Sequence, residues 1–116
     1  MKVNQRDIVE LPFPLPNGKY IGPHPAIVLS VRNVTDNEDI FYAVMLSTKN
    51  TNEDFIFELL PEMLTYPTEK EGFVKCQLIE KFTEREVIKK QGSIKPEYFK
   101  LLLTHINEVT FGNECK

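Results

Sequence analysis

The chain has 116 residues, of which 41% are hydrophobic, and a formal net charge of −3. This length and composition predict a single domain with its own core rather than a disordered chain. The acidic balance argues against a sequence-independent nucleic-acid coat, which needs excess positive charge to neutralise phosphates. Basic residues crowd the stretch between residues 80 and 100 but are diluted by glutamates, and we interpret it as a solvated charged face, with a local basic groove as the alternative.

The two cysteines do not form a metal or disulfide pattern. Cys76 lies within an apolar strand pattern and Cys115 lies among the last residues, and neither belongs to a CxxC or Cys/His cluster. We therefore expect no zinc site, no disulfide framework and no cofactor. The sequence shows no signal segment and no apolar run long enough to span a membrane, so we expect a cytoplasmic protein.

The first half of the chain is dominated by strand patterns. Asp7–Phe13 alternates apolar residues on one face, and Pro12 places its last part at a sheet edge or near the strand end. After a turn at residues 17–18, Pro25–Val31 is a short apolar run rich in β-branched residues, which predicts a central strand buried on both faces. Ile40–Ser47 is the next predicted strand, following a polar loop at 33–39.

The remaining strands follow at short spacing, which is typical of a barrel or sandwich. Residues 49–54 are predicted to connect neighbouring strands as a hairpin, leading to Phe55–Leu59. Phe73–Ile79 is another strand. The residues expected on one face of that strand are Val74, Cys76 and Leu78.

Three helical signals follow from local patterns. Pro61–Leu64 fits one helical turn, and Thr83–Glu86 fits a capping box that begins a short helix to about Lys90. Gly92–Ile94 is predicted to be extended. The clearest helix begins at Pro96, with apolar residues at the spacing of one helix face: Phe99, Leu102, Leu103 and Ile106.

Few residues carry a chemical signal. His24, held between two prolines at the mouth of a strand, fits either a proton-transfer group or an exposed loop histidine without a role. Ser47 and Thr48 end a strand, where they fit either donors to a phosphate oxygen or ordinary turn-capping hydroxyls. His105 lies off the apolar side of the last helix, and we assign it no function.

The order of these segments resembles the MazF/PemK family of toxins from bacterial type II toxin–antitoxin pairs. The segments that carry the resemblance are Arg6–Val9, Gly22–Ser30 and the strand ending in Ser47–Thr48, with the later strands and closing helix in the same order. The resemblance covers nearly the whole chain. It implies an SH3-like β-barrel with small helices and a C-terminal helix packed on it, forming a single domain and usually a homodimer.

The resemblance also implies a metal-independent endoribonuclease. Such an enzyme cuts single-stranded mRNA, leaves a 2′,3′-cyclic phosphate, and is neutralised by an antitoxin whose disordered tail covers the RNA groove. The site residues that it implies are His24, Ser47 and Thr48 for catalysis, with Arg6, Lys19, Tyr20 and Lys49 as RNA contacts. Among the RNA contacts, Tyr20 would stack a base. The three basic residues among them would supply positive charge.

The chain departs from the family pattern at several positions. His24 stands where members usually carry a catalytic arginine, and Ser47 stands where they carry a catalytic threonine. Arg6 replaces a glycine, and residues 78–81 read Leu-Ile-Glu-Lys where members often have Gln-Ile-Arg-Thr. The alternative function is a non-catalytic barrel domain, either a degenerate toxin or a protein-binding module similar to CcdB.

Overall fold

Six antiparallel strands form one sheet, and a long helix packs on one of its faces. The computed structural model describes residues 1–14, 17–18, 22–49, 53–66 and 72–114. The elements are β1 (Asp7–Leu11), β2 (His24–Val28), α1 (Arg32–Glu38), β3 (Phe41–Ser47), β4 (Ile56–Leu59), β5 (Gly72–Phe82), β6 (Lys89–Ser93) and α2 (Pro96–Val109). Short 3-10 turns cover Glu53–Phe55, Pro61–Met63 and Glu84–Glu86. The predicted mainly-β class with a closing helix is confirmed.

The strands lie in the order β4-β5-β3-β2-β1-β6. The first three strands pair consecutively, but β5 lies between β3 and β4, so the predicted hairpin at residues 49–54 is wrong. The sheet does not close into a complete barrel. The edge strands are β4 and β6. In the segments that follow them, an isolated β-bridge pairs Leu64 with Ile94, and the Thr65 N–H donates to the Ser93 carbonyl at 2.9 Å. These contacts bring the two ends of the sheet together.

Each face of the sheet carries a buried core, because alternate residues of each strand point in opposite directions. The helix face, under α2, has the core Ile8, Ile27, Val44, Leu46, Leu59, Leu64, Val74, Cys76, Ile94, Phe99, Leu102 and Ile106. The far face has the core Val3, Val9, Leu11, Phe13, Ala26, Val28, Phe41, Ala43, Met45, Phe82 and Val87. Strand β2 contributes to both cores, as predicted, although it ends at Val28 and leaves Val31 exposed. Pro12 follows the end of β1 directly, which agrees with its missing N–H.

Strand β5 changes register in its middle. Val44 pairs with Ile79, whereas the next residue, Met45, pairs with Lys75. The three residues between Lys75 and Ile79 therefore form a bulge. Val74 and Cys76 belong to the helix-face core, whereas Leu78 packs against the far-face core. The prediction that Leu78 shares a face with them is wrong.

Residues 33–39, predicted as a loop, lie mostly in α1. Thr35 is its one buried residue, so the helix has no apolar side that a sequence pattern could reveal. The helix ends at Glu38, and its C-cap residue Asp39 has a left-handed φ of 58° and donates its N–H to the Thr35 carbonyl at 3.0 Å. At the other end, Arg32 pairs with Glu84 at 2.8 Å. Contacts at the two ends thus hold this polar helix in place.

The capping box after β5 is confirmed, but the element that follows differs from the prediction. The Thr83 N–H donates to the Glu86 carboxylate at 2.9 Å, and the reciprocal bond is also present. The turn is a single 3-10 turn, and the chain enters β6 at Lys89. The predicted helix to about Lys90 is therefore wrong, because pairing with β1 extends this segment instead.

The last helix begins at Pro96, as predicted. Its buried side consists of Phe99, Leu102 and Ile106, whereas Leu103 is 38% exposed and lies beside the contact with the sheet. No helix in the described ranges has the length and apolar character needed to cross a membrane.

Candidate functional site

His24 and Ser47 lie at the same end of the far face, each two residues beyond the last pair that joins β2 to β3. Ala26 pairs with Met45, and continuing this register by two residues places His24 opposite Ser47. Since Ala26 and Met45 belong to the far-face core, residues two positions further along each strand project to the same face. Both side chains are half-buried. The structure therefore brings together the predicted proton-transfer group and the predicted hydroxyl.

The same row of side chains continues across two more strands. Ser47 pairs with Phe73 on β5, and Phe73 pairs with Glu58 on β4. We name His24, Ser47, Phe73 and Glu58 the site row. Since neighbouring strands lie about 4.8 Å apart, the site row spans about 14 Å across the sheet. This is a continuous line of ionisable, hydroxyl and aromatic groups on one face.

Ser47 also shapes the turn that follows β3. Its Oγ accepts a hydrogen bond from the Lys49 N–H at 3.1 Å, so the turn-capping interpretation is confirmed. A hydroxyl that accepts one bond still has its own O–H to donate. Thr48 and Lys49 are exposed directly beyond the strand end. The turn thus adds the Thr48 hydroxyl and the Lys49 ammonium next to the site row.

Arg6 lies at the opposite end of β1. His24 pairs with Leu11, which lies five residues beyond Arg6 along the chain. Five residues of extended strand separate Arg6 from Leu11 by about 17 Å. The Arg6 guanidinium donates to the Ile94 carbonyl at 3.0 Å. The structure therefore does not place Arg6 beside His24, and its contact with RNA stays a prediction. Lys19 and Tyr20 lie outside the described residues.

Lys75 is a site candidate that the sequence analysis missed. It pairs with Met45 on one side and Ile56 on the other, so it projects to the far face one row inward from Ser47. Diagonal neighbours of this kind lie about 7–8 Å apart. Lys75 is only 5% exposed, and this burial lowers the pKa of its amine. The available signal was a lysine between Val74 and Cys76, two residues of an apolar strand pattern.

The bulge in β5 determines which charged residues reach the far face. Lys75 precedes the bulge and Glu80 follows it, and Glu80 pairs with Ala43 of the far-face core. Without the change of register, residues 75 and 80 would project to opposite faces. The far face therefore carries a buried amine together with two exposed carboxylates, those of Glu58 and Glu80.

The other candidate groups belong to the helix side of the sheet. Burial raises the pKa of the Cys76 thiol to about 11, which disfavours a reactive thiolate. His105 on α2 has its Nε2 atom 2.8 Å from the Ile56 carbonyl oxygen, so this nitrogen is a donor. Its ring centroid lies 6.0 Å from that of Phe57. Across the described part of the chain, no group of three His, Cys, Asp or Glu side chains is arranged to hold a metal ion.

The fold and the site row define a small mainly-β domain with histidine, hydroxyl and amine groups on one face of a bent sheet. The sequence matches the family described as "PemK-like, MazF-like toxin of type II toxin-antitoxin system" over residues 4–110. The chain therefore belongs to this family. A search among curated proteins finds no match.

Solved structures of MazF toxins have the same fold. An endoribonuclease in complex with its cognate antitoxin, from a mycobacterial species, has a TM-score of 0.75 at 15% identity, covering 98% of this chain and all of its own. MazF from Deinococcus radiodurans has a TM-score of 0.75 at 15% identity, covering 97% of this chain and 99% of its own. The Mycobacterium tuberculosis toxin MazF-mt6 has a TM-score of 0.71 at 11% identity, covering 93% of this chain and 99% of its own. The predicted fold class is confirmed.

Proposed function

We propose that this chain is a toxin that cuts single-stranded mRNA without a metal ion, leaving a 2′,3′-cyclic phosphate and a 5′-hydroxyl. The observation that carries the proposal is that the strand register puts His24, Ser47 and Lys75 on the far face, at the same end of the sheet. Membership of the toxin family and the likeness to structures named endoribonuclease support it.

The chemistry requires a proton acceptor, a proton donor and stabilisation of the phosphorus oxygens. The ribose 2′-oxygen forms a bond to the adjacent phosphorus while the bond from phosphorus to the 5′-oxygen breaks. His24 takes the 2′-proton or protonates the departing 5′-oxygen, since imidazole exchanges protons near neutral pH. Ser47 and Thr48 donate hydrogen bonds to the non-bridging oxygens, where negative charge develops in the transition state.

Lys75 supplies a positive charge beneath the reacting phosphate, because the negative charge of the bound phosphate favours the ammonium form that burial alone disfavours. His24 occupies the position at which family members usually carry an arginine, so this chain lacks a permanent cation in the site row itself. An ammonium one row inward acts through a medium of low polarity, in which charges interact more strongly than in water. Lys49 adds an exposed charge at the end of β3. We keep Arg6, Lys19 and Tyr20 as contacts of a longer RNA strand, with Tyr20 stacking a base.

The partners follow from the same proposal. The family pairs each toxin with an antitoxin, and we propose that an extended antitoxin segment covers the far face and excludes RNA from the site row. We also propose that the toxin acts as a homodimer in the cytoplasm, where mRNA is available. A single-stranded substrate fits a row of side chains about 14 Å long better than a duplex does, because its bases are free to stack and pair with protein groups.

A non-catalytic barrel domain is the second candidate function, and it is favoured by the acidic groups on the far face. Glu58 and Glu80 are exposed there, and both repel a polyanion. In this alternative the far face binds a protein partner, as in a degenerate toxin or a CcdB-like module. The two candidates differ in whether pure protein cuts RNA.

The decisive experiment is incubation of the pure protein with a long single-stranded RNA in the presence of EDTA. We expect discrete fragments with 2′,3′-cyclic phosphate ends, and loss of cutting by at least about a hundredfold for His24→Ala, the typical contribution of a positioned acid or base. Ser47→Ala and Lys75→Met should lower the rate without abolishing binding.

His105→Gln is the matched control, because His105 is the other histidine of the sequence and lies on α2. This variant should cut RNA at the rate of the parent protein, and thermal melts should show that every variant is folded. Intact RNA after prolonged incubation of the folded protein, beside an active control enzyme, would exclude the endoribonuclease and favour the binding module. Equal loss of activity in His24→Ala and His105→Gln would refute the assigned site.

A further inference from the structure

Phe73 is a large aromatic residue that neither core uses. It is half-buried, and among the described residues it belongs to neither the helix-face core nor the far-face core. It pairs directly with Ser47, so the two side chains project to the same face with Cβ atoms about 4.5–5.5 Å apart. A phenyl ring thus stands immediately beside the hydroxyl that the proposed function assigns to the phosphate.

Glu58 lies on the other side of this ring. It pairs with Phe73 across β4 and β5 and is exposed. Within the part of the chain that the structure describes, its carboxylate makes no hydrogen bond or ion pair, in contrast to Glu84, which is bound by Arg32. An ionised carboxylate can only accept hydrogen bonds, and this one lies at the outer end of the site row.

We propose that Phe73 and Glu58 form a base-binding subsite that selects a nucleobase with an exocyclic amino group next to the scissile phosphate. The proposal rests on the proposed function, because it takes the phosphate at Ser47 as its reference. The Phe73 ring stacks on the base, and the Glu58 carboxylate accepts from the amino group. Stacking on aromatic side chains and hydrogen bonds to base edges are the usual means of reading unpaired RNA.

The order of the groups along the site row agrees with the layout of one nucleotide. The proton-transfer group and hydroxyl are at one end, the ring is one strand further, and the acceptor is one strand beyond that. Adenine, cytosine and guanine carry exocyclic amino donors, whereas the exocyclic atoms of uracil are carbonyl oxygens. A carboxylate at the outer end therefore favours the first three bases and repels the oxygen edge of uracil.

The test measures binding of non-cleavable probes, so that it is independent of catalysis. The probes are fluorescein-labelled 2′-O-methyl dodecamers of adenosine, cytidine and uridine, titrated with the full chain and followed by anisotropy. We expect the adenosine and cytidine probes to bind at least about tenfold more tightly than the uridine probe. Phe73→Leu should weaken binding of the adenosine and cytidine probes by about 5- to 150-fold, the range measured for loss of a stacking ring. Phe73→Trp should preserve the affinity for both probes, because it keeps an aromatic ring.

Glu58→Gln should abolish the discrimination between cytidine and uridine, because an amide can also donate to the carbonyl oxygen of uracil. The matched controls are Phe57→Leu, whose ring packs against the helix-face core, and Glu62→Gln, an exposed carboxylate outside the site row. Both should bind the probes as the parent does. Melting curves confirm that each variant is folded.

Three results would overturn the subsite: no binding of any probe, unchanged affinity in Phe73→Leu, or unchanged discrimination in Glu58→Gln. Cutting of long RNA by the same preparation separates the two proposals. RNA cutting with probe binding that is insensitive to Phe73 would contradict the subsite alone. Base-selective probe binding without any cutting would contradict the endoribonuclease and, with it, the placement of the subsite next to a scissile phosphate, while base selection by Phe73 and Glu58 would stand.

Discussion

Replacing Glu84 with glutamine removes a negative charge from a contact that joins three segments of the chain. The Glu84 carboxylate accepts hydrogen bonds from the Val3 N–H at 2.7 Å and from the Arg32 guanidinium at 2.8 and 3.1 Å. Arg32 also donates to the Val3 carbonyl at 2.6 Å. Glutamine keeps the shape of the side chain but offers one acceptor oxygen and no charge, so the donors around it are incompletely satisfied.

The magnitude follows from the strength and exposure of these bonds. A buried hydrogen bond to a charged group contributes about 1.5–3 kcal/mol. Here the side chains of Arg32 and Glu84 are 25% and 27% exposed, so part of the interaction is screened by solvent. We therefore expect Glu84→Gln to lower the free energy of unfolding at pH 7 by about 1–2 kcal/mol. In a domain of this size the melting temperature should fall by about 3–8 °C.

The pH dependence gives the contact a second signature. The hydrogen bond from Arg32 is the main reason that the pKa of Glu84 is lowered from its ordinary 4.5 to about 2. A carboxylate whose pKa is lower in the folded state than in the unfolded state stabilises the fold at any pH above its unfolded-state pKa. This contribution is lost as the pH falls through its folded-state pKa. The advantage of the parent over Glu84→Gln should therefore shrink as the pH falls from about 4.5 to about 2.

Urea unfolding at pH 7, 5, 3.5 and 2.5 measures this difference directly. Glu80→Gln serves as control, since Glu80 is exposed and makes no hydrogen bond or ion pair within the described residues. It should change stability by less than about 0.5 kcal/mol, as surface substitutions usually do. A Glu84→Gln variant as stable as the parent at pH 7, or a difference that stays constant down to pH 2.5, would refute the reasoning.

Three further predictions concern single positions. Arg6 has a left-handed φ of 81°, a conformation that strains residues with a Cβ atom. Arg6→Gly should therefore be more stable than Arg6→Ala by about 1 kcal/mol in urea unfolding, the reverse of the usual order. Equal stabilities of the two variants would contradict this strain. Gly92 has a φ of 112°, and an added Cβ would lie 3.1 Å from the Tyr66 ring, so Gly92→Ala should lower the melting temperature, whereas an unchanged value would contradict this packing. The Cys76 thiol, with its pKa raised to about 11 by burial, should react with a thiol reagent at neutral pH only after unfolding; mass mapping of modified peptides detects earlier reaction.

The strands of this chain were predictable because each carries a local pattern. Alternation identified β1, and the β-branched run identified β2 as the central strand. Helix α1 was not predictable in this way, because its sequence is polar and its one buried residue is Thr35. It is held by Arg32 through an ion pair to a residue 52 positions away, which no local pattern encodes.

The candidate site was predictable only in part, for a similar reason. His24 begins β2 and Ser47 ends β3, and the resemblance to the toxin family, not their position alone, selected them. Lys75 was missed because its face depends on the bulge in β5, and strict alternation does not contain a register change. The same bulge explains why Leu78 and Glu80 lie on the far face. Arg6 was grouped with the site by its charge, although β1 carries it to the opposite end of the sheet.

The central claim is that RNA binds the far face at the site row. The most direct test is titration of the ¹⁵N-labelled chain with the 2′-O-methyl adenosine dodecamer, followed by amide chemical shifts. We predict the largest changes at Ser47, Phe73 and Lys75, with the exposed residues of α2 near Leu101 and Leu103 unaffected. Changes confined to α2, with none on β3 and β5, would contradict the account.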